Sequence, residues 1–282
     1  MRAPAVLLLA AVMISSGCVT NTVNNGLVMS MTPDPGTILQ DGTTKIHIDV
    51  TNTDIKKLDN VNVVIFNPGL LLFADGSSCA QSGVFGTLQS QEFRTFSCDL
   101  KSNQINQDRL STTINAKANF TTTFSAVQQM GLITEEEYNN RLATSGVQQQ
   151  PTSYVYGDRN IQLQVDFSDT LPIVVKDNRK VYVKFTLRNI GNGFVNSIGT
   201  NDIQILQKPS LDTAQEGNVL QSADGRPCHL VDALYPIGNT FPSFSCQVVM
   251  PSGINPIASY DFIINVKYTY EIRAQTQVDI VR

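Results

Sequence analysis

The stretch KVYVKFTL, residues 180–187, decides the fold because its apolar and polar residues alternate strictly. This alternation predicts a β-strand with one face in a core and the other in solvent. KIHIDV, residues 45–50, alternates in the same way, with Ile46, Ile48 and Val50 on one side. The two stretches occupy equivalent places in the two halves of the chain, which suggests an internal repeat.

Further strand patterns follow both stretches in the same order. NVNVVIF and DIQIL are shorter predicted strands, and each half closes with a long alternating stretch, at residues 114–124 and 262–280. About seven short strands per half without α/β alternation predict an all-β fold of two tandem Ig-like β-sandwiches. The predicted boundaries are residues 27–124 for the first domain, 125–153 for a helical insertion with a linker, and 154–282 for the second domain.

The turn after the second-half strand carries a family resemblance. TLRNIGNGFV, residues 186–195, resembles the V-x-N-x-G-x-G turn of CARDB-like and related Ig-like domains of archaeal cell-surface proteins. The corresponding first-half segment, VTNTDIKKL, lacks the two glycines. The resemblance implies an Ig-like fold for the repeated unit.

A cysteine pair is also repeated. ADGSSC ends at Cys79 and ADGRPC at Cys228, and each is followed by an FSC, ending at Cys98 and Cys246. Four cysteines allow three pairings, and the repeated context predicts Cys79–Cys98 and Cys228–Cys246. Each bridge closes a loop of roughly 20 residues and should stabilise its domain by about 3 kcal/mol. The alternative, a zinc site, would need short C-x-x-C spacings and a reducing compartment, so no metal site is predicted.

The N-terminus predicts export. MRAPAVLLLAAVMISSGC has one Arg and then an apolar run too short to span a bilayer, so residues 1–17 are a predicted signal peptide. Either cleavage leaves Cys18 unmodified, or SSGC acts as a lipobox. SSGC resembles the prokaryotic lipobox, with Ser15 where Leu is usual. That resemblance implies a lipidated Cys18, a tether over residues 18–26, and a membrane-anchored protein on the extracellular or periplasmic side.

One segment departs from the strand pattern. Residues 124–146, FSAVQQMGLITEEEYNNRLATSG, predict a helical insertion in which Gly131 stops one helix. Thr134 with Glu137 forms a predicted capping box, and Arg141 lies at a favourable spacing from Glu137. GLITEEEYNNRL looks like the second half of a SHOCT motif, which implies a role in association. The alternative is an insertion that packs against one end of a sandwich.

The residues offer little material for catalysis. Phosphate loops and the GxSxG, HExxH and EF-hand motifs are absent from the sequence, so we expect neither a cofactor nor an enzyme. His47 is expected on a strand surface, and His229 in a loop is a candidate ligand-binding residue. Asp75 and Asp224 are predicted turn formers in the two ADG segments. The net charge of −4 gives no large positive field, so no nucleic-acid partner is expected.

Three features bear on surface function. Asn119 begins the glycosylation sequon NFT on the polar side of its predicted strand, where glycosylation is physically allowed. The apolar run LLLF, residues 70–73, is either a buried strand or an exposed contact patch. Residues 209–223 form a longer loop than their first-half counterpart, which makes the loop a candidate for copy-specific binding.

The leading hypothesis is a lipid-anchored surface protein that contacts another protein or the surface layer through its Ig-like domains. The alternative is a surface lipoprotein that binds a solute or a glycan. A pocket of convergent polar and aromatic groups would favour the alternative, and a flat apolar patch the leading hypothesis.

Overall fold

The computed structural model describes residues 26–77, 83–176, 179–209, 219–250, 254 and 256–282. Within these residues the chain is mostly β-strand, as the alternating patterns predict, with one helix. The first-half elements are β1 (Leu27–Asp34), β2 (Thr37–Leu39), β3 (Thr43–Asn52), β4 (Leu58–Asn67), β5 (Leu71–Phe73), β6 (Gly83–Leu88), β7 (Phe93–Ser102), β8 (Arg109–Thr134) and α1 (Glu135–Thr144). The second-half elements are β9 (Ser153–Gly157), β10 (Ile161–Phe167), β11 (Ile173–Val175), β12 (Val181–Asn189), β13 (Phe194–Val195), β14 (Ile203–Pro209), β15 (Leu220–Gln221), β16 (Phe244–Val248) and β17 (Ile257–Val281).

The described strands form three hydrogen-bonded sheets. One contains only first-half strands in the order β1-β3-β7-β5, and another contains only second-half strands in the order β15-β16-β12-β10-β9. The third runs β13-β17-β8-β4-β6 and takes strands from both halves, with β2 and β14 on β17 and β11 on β8. The third sheet therefore joins the two halves of the chain.

The long ribbon of β8 and β17 makes this connection. The two strands pair antiparallel along their length, from Ile257 opposite Ile133 to Val281 opposite Arg109. One face of the ribbon is apolar and buried, because Phe120, Phe124 and Ile264 and their even-numbered neighbours point into the core. The buried residues of all three sheets belong to one apolar cluster.

The ribbon corrects the predicted helical insertion. Residues 125–134 continue β8 as a strand, and only Glu135–Thr144 is helical, so the helix covers part of the predicted 125–153 segment. Gly131 is not a helix stop but lies in β8 beside Pro172, whose Cβ would be 3.3 Å from an added Cβ. The strand continues because Ala126, Met130 and Leu132 keep the alternation and β17 supplies the hydrogen-bonding partner.

The start of α1 agrees with the sequence. Thr134 caps the helix by accepting a hydrogen bond from the Glu137 amide, and Glu137 Oε1 pairs with Arg141 Nε at 2.7 Å. The Thr134 side chain therefore makes its hydrogen bond of the predicted capping box. The Glu137 side chain pairs with Arg141 instead of bonding the Thr134 amide. The helix has no buried residues.

The second predicted disulfide is present. Cys228 and Cys246 are bonded, with their Cα atoms 5.7 Å apart, and both side chains are buried. Cys98 is also disulfide-bonded, while its predicted partner Cys79 lies outside the described residues. The pairing Cys79–Cys98 stays a prediction. Cys18 and the signal peptide also lie outside the described residues.

Candidate binding groove

The N-x-G-x-G turn is a packing device rather than a ligand site. Asn189 Nδ2 donates to the Gly193 carbonyl at 2.7 Å, and the Gly193 amide donates to the Tyr270 hydroxyl at 2.6 Å. A Cβ on Gly193 would lie 2.6 Å from Tyr270 Cε1, and closer still to the Glu271 carbonyl oxygen. A Cβ on Gly191 would overlap the Tyr270 hydroxyl. The two glycines are therefore required because the turn lies directly on the Tyr270 ring.

The corresponding turn of the first half is held by an asparagine, Asn52, without the two glycines. Asn52, at the end of β3, is fully buried, and its Nδ2 donates to the carbonyls of Lys56, Leu88 and Gln89. Its Oδ1 accepts a hydrogen bond from the Asp54 amide. The shared asparagine therefore satisfies turn backbone in both halves, which accounts for the residue that the two segments have in common.

A second buried polar group lies next to the glycine turn. The Tyr268 hydroxyl donates to Asp158 Oδ2 at 2.6 Å and accepts from Asn160 Nδ2 at 3.2 Å. Burial, with the nearby Asp158 carboxylate, raises the pKa of Tyr268 far above its usual range. The phenol therefore stays protonated and donates its hydrogen bond. These contacts hold β17 against the turn between β9 and β10.

A groove in the second half lies along β14. Among the described strands β14 pairs with β17, and Gln204 lies opposite Asn265. The Lys267 amide donates to the Asp202 carbonyl. In an antiparallel pair, every second residue of a strand exchanges hydrogen bonds with the same neighbouring strand. Gln204, two residues after Asp202, therefore also exchanges hydrogen bonds with β17. The backbone groups of Ile203 and Ile205 point the other way. Within the described part of the chain they have no backbone partner.

These free backbone groups face a groove of about 700 Å³ whose opposite wall is the segment from Arg226 to Val231. We call it the β14 groove. Leu206 and Val231 supply apolar surface, because these residues are 49% and 61% exposed. Gln207 ties β14 to the adjoining sheet, since its side-chain amide bonds the backbone of Val219 and Leu220.

Polar groups of the ADG turn border the β14 groove. His229 Nδ1 lies 2.8 Å from the Pro227 carbonyl, and its Nε2 lies 3.5 Å from Asp224 Oδ2. Arg226 also pairs with Asp224 at 3.5 Å and is mostly exposed. His229, a candidate from the sequence, thus lines a groove, while the sequence did not single out Leu206 or Val231. The signal was available in DIQIL, where Leu206 places an apolar side chain on the otherwise polar side.

The other predicted residues have mostly structural surroundings. His47 lies on the strand surface and its Nδ1 is 2.9 Å from the Ser97 hydroxyl. The ADG segments are turns, as predicted, since Gly76 and Gly225 have φ of 73° and 78°. Asn119 lies on the solvent face of β8, half-buried between Glu271 and Asn62. Its glycosylation stays a prediction.

The run LLLF, residues 70–73, is partly a buried strand and partly an exposed apolar surface. Leu71 is buried, whereas Leu70 and Leu72 are 53% and 55% exposed on and beside β5, which pairs with β7. In the loop at residues 209–223, residues 210–218 lie outside the described residues.

The described residues contain no cluster of three or more His, Cys, Asp or Glu side chains placed to hold a metal ion. They also contain no helix of the length and apolarity needed to cross a bilayer.

No protein-family model matches the chain, and no curated protein matches it. Among solved structures, the chain is similar to the secreted serine protease VesC from Vibrio cholerae, with 11% identity and a TM-score of 0.20. The match covers 85% of this chain and 50% of the protease chain, so this chain spans about half of that protein's length. At this TM-score the similarity indicates neither a shared fold nor a shared activity.

Proposed function

We propose that this protein is a non-enzymatic, membrane-anchored cell-surface lipoprotein that binds another protein. Lipid on Cys18 holds it at the membrane, and the folded part forms two Ig-like sandwiches that share the β8–β17 ribbon. The continuous ladder and single buried cluster support this arrangement, because bending between the halves would break hydrogen bonds and expose apolar surface. Two halves held together in this way would present a binding surface in a fixed relation to each other.

The observation that carries the proposal is the edge of β14 that faces the β14 groove, which pairs with no strand in the described part of the chain. An extended peptide segment can add to such an edge as a further strand, with main-chain hydrogen bonds supplying affinity. The outward backbone groups of Ile203 and Ile205 would form those bonds. Leu206 and Val231 would contact apolar side chains of the added segment, which gives specificity.

Site-specific crosslinking in intact cells tests the proposal. A photoreactive benzoylphenylalanine at Val231 should give a covalent adduct with a second protein. The same residue at Val155, which is 56% exposed on β9, is the matched control and should give none. Equal adducts at the two positions, or none at Val231, would contradict the proposal.

A charge-insertion variant gives an independent measurement. Leu206→Glu combined with Val231→Glu should abolish the adduct formed by a crosslinker placed at Thr200, another residue of the groove wall. Both side chains are largely exposed, so each change should alter the free energy of unfolding by only about 0.5 kcal/mol. Val155→Glu should leave the adduct intact. An adduct that survives the double substitution would exclude the β14 groove as the contact.

A further inference from the structure

A second groove lies on the solvent face of the third sheet, where β4, β8 and β17 run side by side. Its volume is about 640 Å³ and its walls include Lys56, Lys57, Asn60, Thr121, Thr123 and Lys267. We call it the lysine groove. An adjoining hollow of about 390 Å³ shares Thr121 and Lys267 and extends to Asn196, Ser197 and Asp202, whose carboxylate accepts a hydrogen bond from the Gly199 amide. The two together form an elongated polar surface that includes residues from both halves of the chain.

The lysine groove has a net positive charge, because three lysines and one carboxylate, Asp59, line it. Asp59 accepts hydrogen bonds from the Thr87 hydroxyl at 2.9 Å and from Lys57 Nζ at 3.2 Å. The Thr87 hydrogen bond is the main cause that lowers the Asp59 pKa, so this carboxylate is ionised and balances Lys57. Within the described residues, neither Lys56 nor Lys267 forms an ion pair with a carboxylate. Two ammonium groups therefore line the groove without a close ion pair, although Lys267 is near enough to Asp59 to help lower the pKa of that carboxyl.

The backbone at Asn60 is unusual in the same place. Asn60 has φ of 54°, in the left-handed region, and the ladders of β4 with β6 and β8 shift register around it. Bulges and left-handed non-glycine residues are costly and concentrate at ligand sites, where they redirect a side chain. The exposed side chain of Asn60 lines the groove together with Lys57 and the threonines of β8.

We propose that the lysine groove binds an acidic oligosaccharide, a sugar chain that carries carboxylate groups. The ammonium groups of Lys56 and Lys267 pair with the carboxylates. The Asn60 amide and the hydroxyls of Thr121 and Thr123 can both donate and accept, which suits sugar hydroxyl groups. Because the groove continues into the adjoining hollow, it fits a chain of sugars better than a single small anion.

Titration calorimetry on the full-length chain tests the proposal, with tetragalacturonate as the probe. We expect tetragalacturonate to bind, the neutral maltotetraose not to bind, and inorganic phosphate at the same concentration not to displace the probe. Lys267→Met should weaken binding roughly fivefold, and Lys56→Met with Lys267→Met roughly twentyfold, as expected for exposed ion pairs. Binding should also weaken as the salt concentration rises.

The control variant is Lys101→Met, which removes an exposed lysine from β7 and should leave binding unchanged. The proposal is overturned by absent binding, by equal binding of maltotetraose, by displacement with phosphate, or by an equal loss in Lys101→Met. The Leu206→Glu, Val231→Glu variant should keep its affinity for tetragalacturonate. This last result separates the lysine groove from the protein contact in the β14 groove.

Discussion

Replacing Gly193 with alanine should destabilise the protein strongly, although the backbone φ at this position is not in the left-handed region. The added Cβ would lie 2.6 Å from Tyr270 Cε1 and would also meet the Glu271 carbonyl oxygen. Overpacking of this kind costs about 1–3 kcal/mol. Moving the turn away would also break the buried hydrogen bond from the Gly193 amide to Tyr270, at a further cost of about 1–3 kcal/mol.

We therefore expect Gly193→Ala to lower the free energy of unfolding by about 4 kcal/mol. Denaturant titration of the soluble Cys18→Ser chain measures the loss. Gly225→Ala is the matched control, since its φ is 78° but an added Cβ would have no atom within 4 Å. That variant should lose only about 1–2 kcal/mol from the left-handed backbone.

A double-mutant cycle separates packing against the hydroxyl from packing against the backbone. Tyr270→Phe removes the oxygen that a Cβ on Gly191 would overlap, so it should suppress much of the loss in Gly191→Ala. In Gly193→Ala it should remove only the part of the loss that comes from the broken hydrogen bond, and the overpacking cost of about 1–3 kcal/mol should remain, because the Glu271 carbonyl and the ring carbons of residue 270 stay in place. Equal losses in Gly193→Ala and Gly225→Ala, or complete suppression of the Gly193→Ala loss by Tyr270→Phe, would refute the reasoning.

Three further predictions concern the anchor, the disulfide and pH. Cys18→Ser should move the protein from the membrane fraction to the soluble fraction, and continued membrane association would contradict the lipid anchor. Replacing Cys228 and Cys246 with alanine should cost about 3 kcal/mol by denaturant titration, given the sequence separation of 18; an unchanged midpoint would contradict this. Burial opposes ionisation of Glu271, but hydrogen bonds from Arg273 and Lys117 outweigh it and lower its pKa. The ionised Glu271 therefore contributes to the free energy of unfolding at neutral pH, and this contribution is lost as the pH falls through the lowered pKa. The difference in free energy of unfolding between wild type and Glu271→Gln should therefore shrink below about pH 4. A difference that is constant with pH would refute this.

The strands and turns could be predicted from sequence because the signals are local. Alternation in KVYVKFTL reflects the opposite directions of successive side chains in any strand. Asp-Gly in each ADG segment supplies the left-handed residue that the turn requires, and Thr134 supplies a helix cap whatever the helix packs against. The Cys228–Cys246 bridge was predicted because the repeat places equivalent cysteines in equivalent turns.

The end of β8 was predicted wrongly for a physical reason. At its centre the alternating inward position is Gln128, which is buried and accepts a hydrogen bond from the Tyr156 hydroxyl at 2.6 Å. The outward neighbour, Val127, is apolar. With a polar residue facing the core and an apolar residue facing solvent, the sequence here no longer alternates as a strand should. Only the pairing with β17 shows that the segment is a strand and not a helix.

Both grooves depend on contacts that no local pattern contains. The β14 groove forms because β14 lies near the segment that ends at Val231, and the lysine groove forms because β4 and β17 flank β8. The sequence by itself determined the all-β class, the turns and one disulfide, since side-chain direction and turn geometry act over a few residues. The tertiary structure alone decided which strand edges have no partner strand among the described residues and which lysines lie together. Those features depend on how distant strands find partners that bury their apolar faces and satisfy their backbone hydrogen bonds.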